Sequence, residues 1–201
     1  IMIDTSGQQR QTIHRLPGLN AAPAWSPDMQ SIALVLSRDQ NSEVYILNKD
    51  RQLERLTRHF NIDTSPTWSP DGKKIAFTSD RSGTGAPQIY IMDSVKGDRS
   101  QVTRISFGSG YNDNPAWSPN GDKIAYTSRE GRKFQIRIYD LNTHKSQLLT
   151  SGFGSSEQPS WSPDGRFIIY RKRENNRYNL FIQKFGSGEA RQLTFSGKGH
   201  S

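Results

Sequence analysis

The stretch SPTWSPDGKKIAFTS, residues 65–79, is written three more times in this chain with small changes. APAWSPDMQSIALVL occupies 22–36, NPAWSPNGDKIAYTS 114–128, and QPSWSPDGRFIIYRK 158–172. The four tryptophans, Trp25, Trp68, Trp117 and Trp161, fall at intervals of 43, 49 and 44 residues, and eight of the ten prolines flank them. A self-similar period of this length marks a β-propeller or another stacked array. Each unit reads as four strands. Strand A is the PAWS segment, closed by a tight turn such as Pro70-Asp71-Gly72, in which proline presets φ, aspartate bonds back to the backbone and glycine takes the left-handed position. Strand B is 73–79, strand C 88–93 and strand D 101–106.

Strands B and C carry apolar residues at successive positions. A one-sided sheet would alternate, whereas a blade covered on both faces by its neighbours need not. A helical reading fails because Pro or Gly interrupts the chain every ten or so residues. The fold class expected is all-β: a propeller of four-stranded antiparallel blades, about four and a half blades of a six-bladed ring. The blades run 1–19 (strands C and D only), 20–62, 63–111, 112–155 and 156–201, in a single domain. The repeated tryptophan is read as packing in the wedge between blades. At Met29 the repeat has methionine where Gly72, Gly121 and Gly165 stand elsewhere, and a change of turn type is expected there, because positive φ is unfavourable for a side chain.

Composition limits the function classes. Of 201 residues 27 are Lys or Arg and 19 Asp or Glu, a net charge of +8. The cations are spread over all repeats and the densest run is only Arg171-Lys172-Arg173, so no nucleic-acid footprint is expected. The chain has no cysteine, which excludes disulfides, thiol catalysis and Cys-ligated zinc. No apolar stretch approaches a membrane span, so no direct membrane insertion is expected. The sequence opens on Ile1 without an initiator Met, and a targeting segment upstream is expected.

His14, His59, His144 and His200 follow no ligand spacing and read as solvated positions. There is no G-x-S-x-G elbow, and the glycine-rich SGTG (82–85) and GFGSS (152–156) do not join a strand to a helix, so neither is a phosphate cradle. No cofactor is expected. The one candidate is Ca2+, for which Asp63, Asp113 and Glu157 are possible oxygen ligands if they converge on a channel mouth.

NAAPAWSPD (20–28), LSRDQNSEVYILN (36–48), DTSPTWSPDGKKIAFTSDRSG (63–83), PQIYIMD (87–93) and SSEQPSWSPDGRFIIY (155–170) together resemble the TolB family of the Tol–Pal cell-envelope system. The resemblance covers almost the whole chain. It implies a periplasmic six-bladed propeller preceded by a small α/β domain, of which this chain would lack that domain, the first blade, half of the second and the closing strand. It also implies a non-enzymatic scaffold that docks the peptidoglycan-associated lipoprotein Pal at one mouth of the channel and supports outer-membrane integrity and cell division. TolA would be met through the missing N-terminal region, and colicins would take over the same mouth.

In a four-stranded blade the D-to-A loops lie nearest the axis, on the face shared with the B-to-C loops. The partner-binding residues expected there are Leu19, Asn20 and Ala22, Thr64 and Ser65, Asn112 and Asp113, and Glu157. Ala22 and Thr64 match the residue types of the family's Pal-contact positions, while Leu19 and Ser65 stand where relatives can carry His and Glu. The B-to-C segments Arg38-Asp39-Gln40-Asn41 and Glu174-Asn175-Asn176-Arg177 are expected at the rim. Two other readings stay open at this point. One is the substrate-gating propeller of a prolyl-oligopeptidase-like serine peptidase. The other is carbohydrate binding through channel aromatics.

Overall fold

The computed structural model describes residues 2, 3, 6, 8, 10–12, 18–108 and 110–195. A short antiparallel pair, β1 (Met2–Ile3) and β2 (Arg10–Gln11), precedes four four-stranded antiparallel sheets. Blade I contains β3 (Asn20–Trp25), β4 (Ser31–Leu36), β5 (Glu43–Asn48) and β6 (Leu53–Arg55). Blade II contains β7 (Asp63–Trp68), β8 (Lys74–Ser79), β9 (Gln88–Asp93) and β10 (Thr103–Arg104). Blade III contains β11 (Asn112–Trp117), β12 (Lys123–Glu130), β13 (Lys133–Asp140) and β14 (Lys145–Leu148). Blade IV contains β15 (Ser155–Trp161), β16 (Phe167–Glu174), β17 (Arg177–Lys184) and β18 (Ala190–Gln192). Within each blade the strands lie in sequence order. The first strands of successive blades approach one another, so they line the centre and the fourth strands form the outer edge. His14 and His200 lie outside the described residues. Among those residues no helix is long and apolar enough to cross a membrane.

The core is divided among the seams between blades. Ala33, Val44 and Leu56 of blade I pack with Ile75, Phe77, Tyr90 and Met92 of blade II. Ala76, Ile89, Ile91 and Ile105 of blade II turn the other way and meet Ile124, Tyr126 and Tyr139 of blade III. Successive residues of β8 thus serve opposite seams: Ile75 and Phe77 one, Ala76 the other. Period-2 geometry with both faces covered produces the unbroken apolar run.

The tryptophans tie the seams with polar bonds as well. Trp68 Nε1 donates to Ala24 O, and Trp161 Nε1 to Ala116 O, each at 3.1 Å across a seam. Trp25 is 44% exposed, because no described blade covers it, which corrects the expectation of a uniformly packed set.

The Ser-Pro-Asp turn is a small hydrogen-bonded device. Ser69 Oγ accepts from Lys74 N at 2.9 Å and donates to Asp71 Oδ1 at 2.6 Å, and that oxygen also accepts from Lys73 N. Ser26 and Ser162 do the same with Asp28 and Asp164. In SPNGD the acid has moved two places, and Ser118 donates to Asp122 instead. The serine hydroxyl holds Asp164 down at about 2, and it lowers Asp28 and Asp71 in the same way.

Met29 does not change the turn type. Its N–H bonds Ser26 O at 2.9 Å, as that of Gly72 bonds Ser69 O, and it takes a left-handed φ of 58°. The position is open at Met29, which is 60% exposed. At Gly121, by contrast, a Cβ would meet Pro70 Cγ of the preceding blade at 3.2 Å.

Met29→Gly relieves this strain, and urea unfolding should show a gain of about 0.5–1 kcal/mol; an unchanged midpoint would refute strain at this turn. Ser69→Ala removes two hydrogen bonds at a buried hydroxyl and should cost about 1–3 kcal/mol in the same assay.

Candidate functional site

The mouth of the channel is built from the starts of the four innermost strands. Each contains a β-bulge, with two residues set against one: Ala22-Pro23 against Leu34, Ser65-Pro66 against Phe77, Asn114-Pro115 against Tyr126, and Gln158-Pro159 against Tyr170. Proline has no N–H for the ladder and disfavours helical backbone in the residue before it. That residue is left-handed in every blade: φ is 47° at Ala22, 51° at Ser65, 56° at Asn114 and 57° at Gln158. The segments expected to be loops before strand A are therefore strand A itself, paired to strand B above and below the bulge.

The residues expected to meet a partner divide into two groups. Leu19, Asn20 and Ala22 reach the surface, Leu19 at 51% exposure, and Thr64, Ser65 and Glu157 are half-buried. Leu19 N donates to Ser37 Oγ at 2.8 Å and Asn20 Nδ2 to Gly18 O at 2.9 Å, which fixes the approach to the mouth. Asn112 is buried, donating to Gln88 Oε1 at 2.9 Å, and is not available to a partner. Asp113 is occupied in joining blades: its Oδ1 accepts from Ser65 Oγ at 3.0 Å and from Thr78 Oγ1 at 2.8 Å, both in blade II.

The carboxylates do not converge on a cation. Asp63 is fully buried against Arg81 at 2.7 Å, and Glu157 is held by Arg171 at 2.7 Å. Among the described residues no three His, Asp or Glu lie where they could hold a metal ion, so the Ca2+ reading is corrected: each acid has been drawn to a cation or hydroxyl of its own neighbourhood.

An exposed aromatic set on the same connections escaped the sequence reading. Phe60, Phe107 and Phe153 stand on the D-to-A connections at 88%, 65% and 64% exposure, and Phe195 follows the last outer strand. Each of the first three has a polar companion: His59 stacked at 4.4 Å, Arg104 at 5.1 Å and Lys133 at 5.4 Å. The signal was present, since every one of these phenylalanines lies one to three residues after the hydroxyl (Thr57, Ser106, Thr150, Thr194) that ends strand D.

These hydroxyls are themselves recurrent. Each of the first three accepts from a strand-C N–H and donates to the side chain of the residue just before that N–H: Thr57 to Glu43, Ser106 to Gln88, Thr150 to Gln135. In the seam between blades II and III the partner is an amide pair, Gln88 and Asn112. In the seam between blades I and II the same two places hold acids, Glu43 and Asp63, both fully buried. Arg55 pairs with Glu43 at 2.8 Å, but Asp63 Oδ1 has no hydrogen-bond partner. Burial pushes the Asp63 carboxyl up to about 6, against the pull of Arg81 and with a further push from Glu43.

A folded pKa raised above the unfolded 3.8 means the folded protein binds the extra proton. Stability from this group is complete below the unfolded value and lost as pH rises through about 6. The turn aspartates act in the opposite direction at lower pH, so the comparison must be made against a variant. Wild type should gain about 1–3 kcal/mol on Asp63→Asn as pH falls from about 7 to about 4. Urea titrations of both proteins across that interval check it; parallel pH profiles would show that Asp63 stays ionised.

The profile of the TolB beta propeller domain matches residues 1–200. Among solved structures, the chain is similar to TolB from Acinetobacter baumannii, at 28% identity and a TM-score of 0.85, over 96% of this chain and 47% of that one. A putative TolB from Agrobacterium tumefaciens gives 24% identity and a TM-score of 0.82, over 96% and 68%. A puromycin-hydrolyzing peptidase of Mycobacterium tuberculosis matches at 15% identity and a TM-score of 0.70, over 90% and 30%, a likeness of fold alone. The chain thus spans about half the length of the Acinetobacter protein. With the family profile running through all four blades and the described strand pair before them, this chain belongs to the TolB β-propeller family.

Proposed function

We propose that this propeller is a non-enzymatic scaffold of the Tol–Pal system in the periplasm, docking Pal at the mouth framed by Leu19, Ala22, Thr64 and Ser65 and so supporting envelope integrity and cell division. Membership of the family carries the reading. The shape of the mouth supports it: small or exposed side chains stand on a bulged frame, while the acids around them are taken up, Asp113 by hydroxyls of the preceding blade and Asp63 and Glu157 by arginines of their own blades. A preorganised face of this kind loses little freedom on docking. TolA is met through the region that precedes the propeller in the family, and colicins use the Pal mouth. The peptidase-gating alternative has in its favour likenesses of fold at 15–16% identity.

Calorimetric titration with the periplasmic domain of Pal tests the proposal. Binding is expected, and Thr64→Arg, which plants a long cation at a half-buried position of the mouth, should weaken it by at least about tenfold. Binding indifferent to Thr64→Arg would move the interface away from the mouth. Absence of binding by a folded chain would defeat the Pal reading.

A further inference from the structure

The outer edges of the blades are not sealed alike. In blade I the carbonyl of Leu56, just before the hydroxyl Thr57, accepts from Asp98 N at 3.0 Å. The N–H of Arg58, just after it, donates to the Asp98 carboxylate. Asp98 belongs to the C-to-D connection of blade II, which runs from 94 to 102 and folds back over the seam. Gly97 sits so close that a Cβ there would fall 2.2 Å from Leu56 O. At the seam between blades III and IV, Leu149 O accepts from Gln183 Nε2 at 3.1 Å.

The middle seam lacks this cover. The C-to-D connection of blade III is short, 141–144, and reaches no further than its own hairpin. The corresponding groups of blade II, Ile105 C=O and Phe107 N–H, find no hydrogen-bond partner among the described residues. Both residues line an open cavity of about 660 Å3 together with Gly110, Arg129, Arg137 and His144. A second cavity of about 470 Å3 shares Ile105, Tyr139 and His144 and continues the groove towards Trp117, whose indole N–H, unlike those of Trp68 and Trp161, is buried without a partner.

The charge of the groove is positive. The Arg129 guanidinium makes no ion pair among the described residues, and there it donates to Gly131 O. Of the carboxylates in the wall, Glu130 in the first cavity is held by Arg137 at 2.6 Å, and Asp71 in the second is bonded by Ser69 Oγ within its own turn.

We propose that this groove is a docking site for a turn-forming, acidic Gly-Asp-containing segment of a partner protein. The segment takes at Ile105 and Phe107 the place that Gly97 and Asp98 take at Leu56 and Arg58. Its amide N–H donates to Ile105 O, its aspartate accepts from Phe107 N–H, and Arg129 attracts its charge. This is edge recognition through main-chain bonds, with side chains setting specificity. The glycine is required by the close approach seen at Gly97, and the acidic character by the unpaired arginine.

The test uses the whole chain and a fluorescent octapeptide, DSVEGDES, which copies residues 93–100 with both cations replaced by glutamate. Anisotropy titration should give saturable binding with Kd below about 1 mM. Gly110→Trp, which fills the groove from a position where an added Cβ meets nothing within 4 Å, and Arg129→Glu on the exposed end of β12 should each weaken it by about tenfold or more. A peptide with valine for its glycine should bind at least about tenfold more weakly. Failure to saturate, binding untouched by either protein variant, or equal binding of the valine peptide would each overturn the proposal; circular dichroism of the variants confirms that they remain folded.

Discussion

A blade of this chain has two apolar faces and can bury them only against its neighbours. That constraint organises everything else. It sends Ile75 and Phe77 to one seam and Ala76 to the next, and it places Trp68 and Trp161 where the indole N–H reaches a carbonyl of the blade before. Burying such side chains contributes about 1.5–3 kcal/mol each, but the contribution exists only when the neighbour is in register. The Ser-Pro-Asp turn and the strand-D hydroxyl serve that register, one at each end of the blade, by fixing where strand B begins and where strand C meets the outer edge.

The seams are also where this protein places its buried polar groups. Glu43 and Asp63 stand where the next seam has Gln88 and Asn112, so one seam buries acids paired to arginines of their own blades and the next is bridged by amides. Removing one partner of a buried ion pair costs more than the pair contributes, which makes the first seam sensitive to protons and to single substitutions in a way the second is not. The net charge of +8 accordingly does not measure a binding footprint, since many of the arginines (Arg55, Arg81, Arg137, Arg171) are committed to acids of the same or the adjacent strand.

Much of the architecture was legible in the sequence because it is written four times. Period, turn chemistry and the two-sided apolar strands all follow from local rules that the structure leaves intact. The site was less legible, for two physical reasons. Proline before Trp reads as the start of strand A, whereas pairing continues through a bulge that tolerates it, so Asn112 and Asp63, which read as loop residues, are buried strand ends. Met29 was expected to alter its turn, but about 1 kcal/mol of strain is smaller than the combined hydrogen bonds of Ser26 and Asp28 that hold the turn in shape. The exposed phenylalanines were missed because their spacing from strand D varies by two residues, enough to hide them from an alignment built on Trp.

The bulge has a further consequence, for the chain as it is being made. A blade that has folded before its ring is complete presents its innermost strand as an open edge, and open edges pair with whatever strand comes near. Here that edge is interrupted in every blade by a left-handed residue followed by proline, with one main-chain donor missing and the strand bent out of line. No second strand can zip along it. The same two residues that set the shape of each innermost strand therefore keep unfinished blades from sticking to one another.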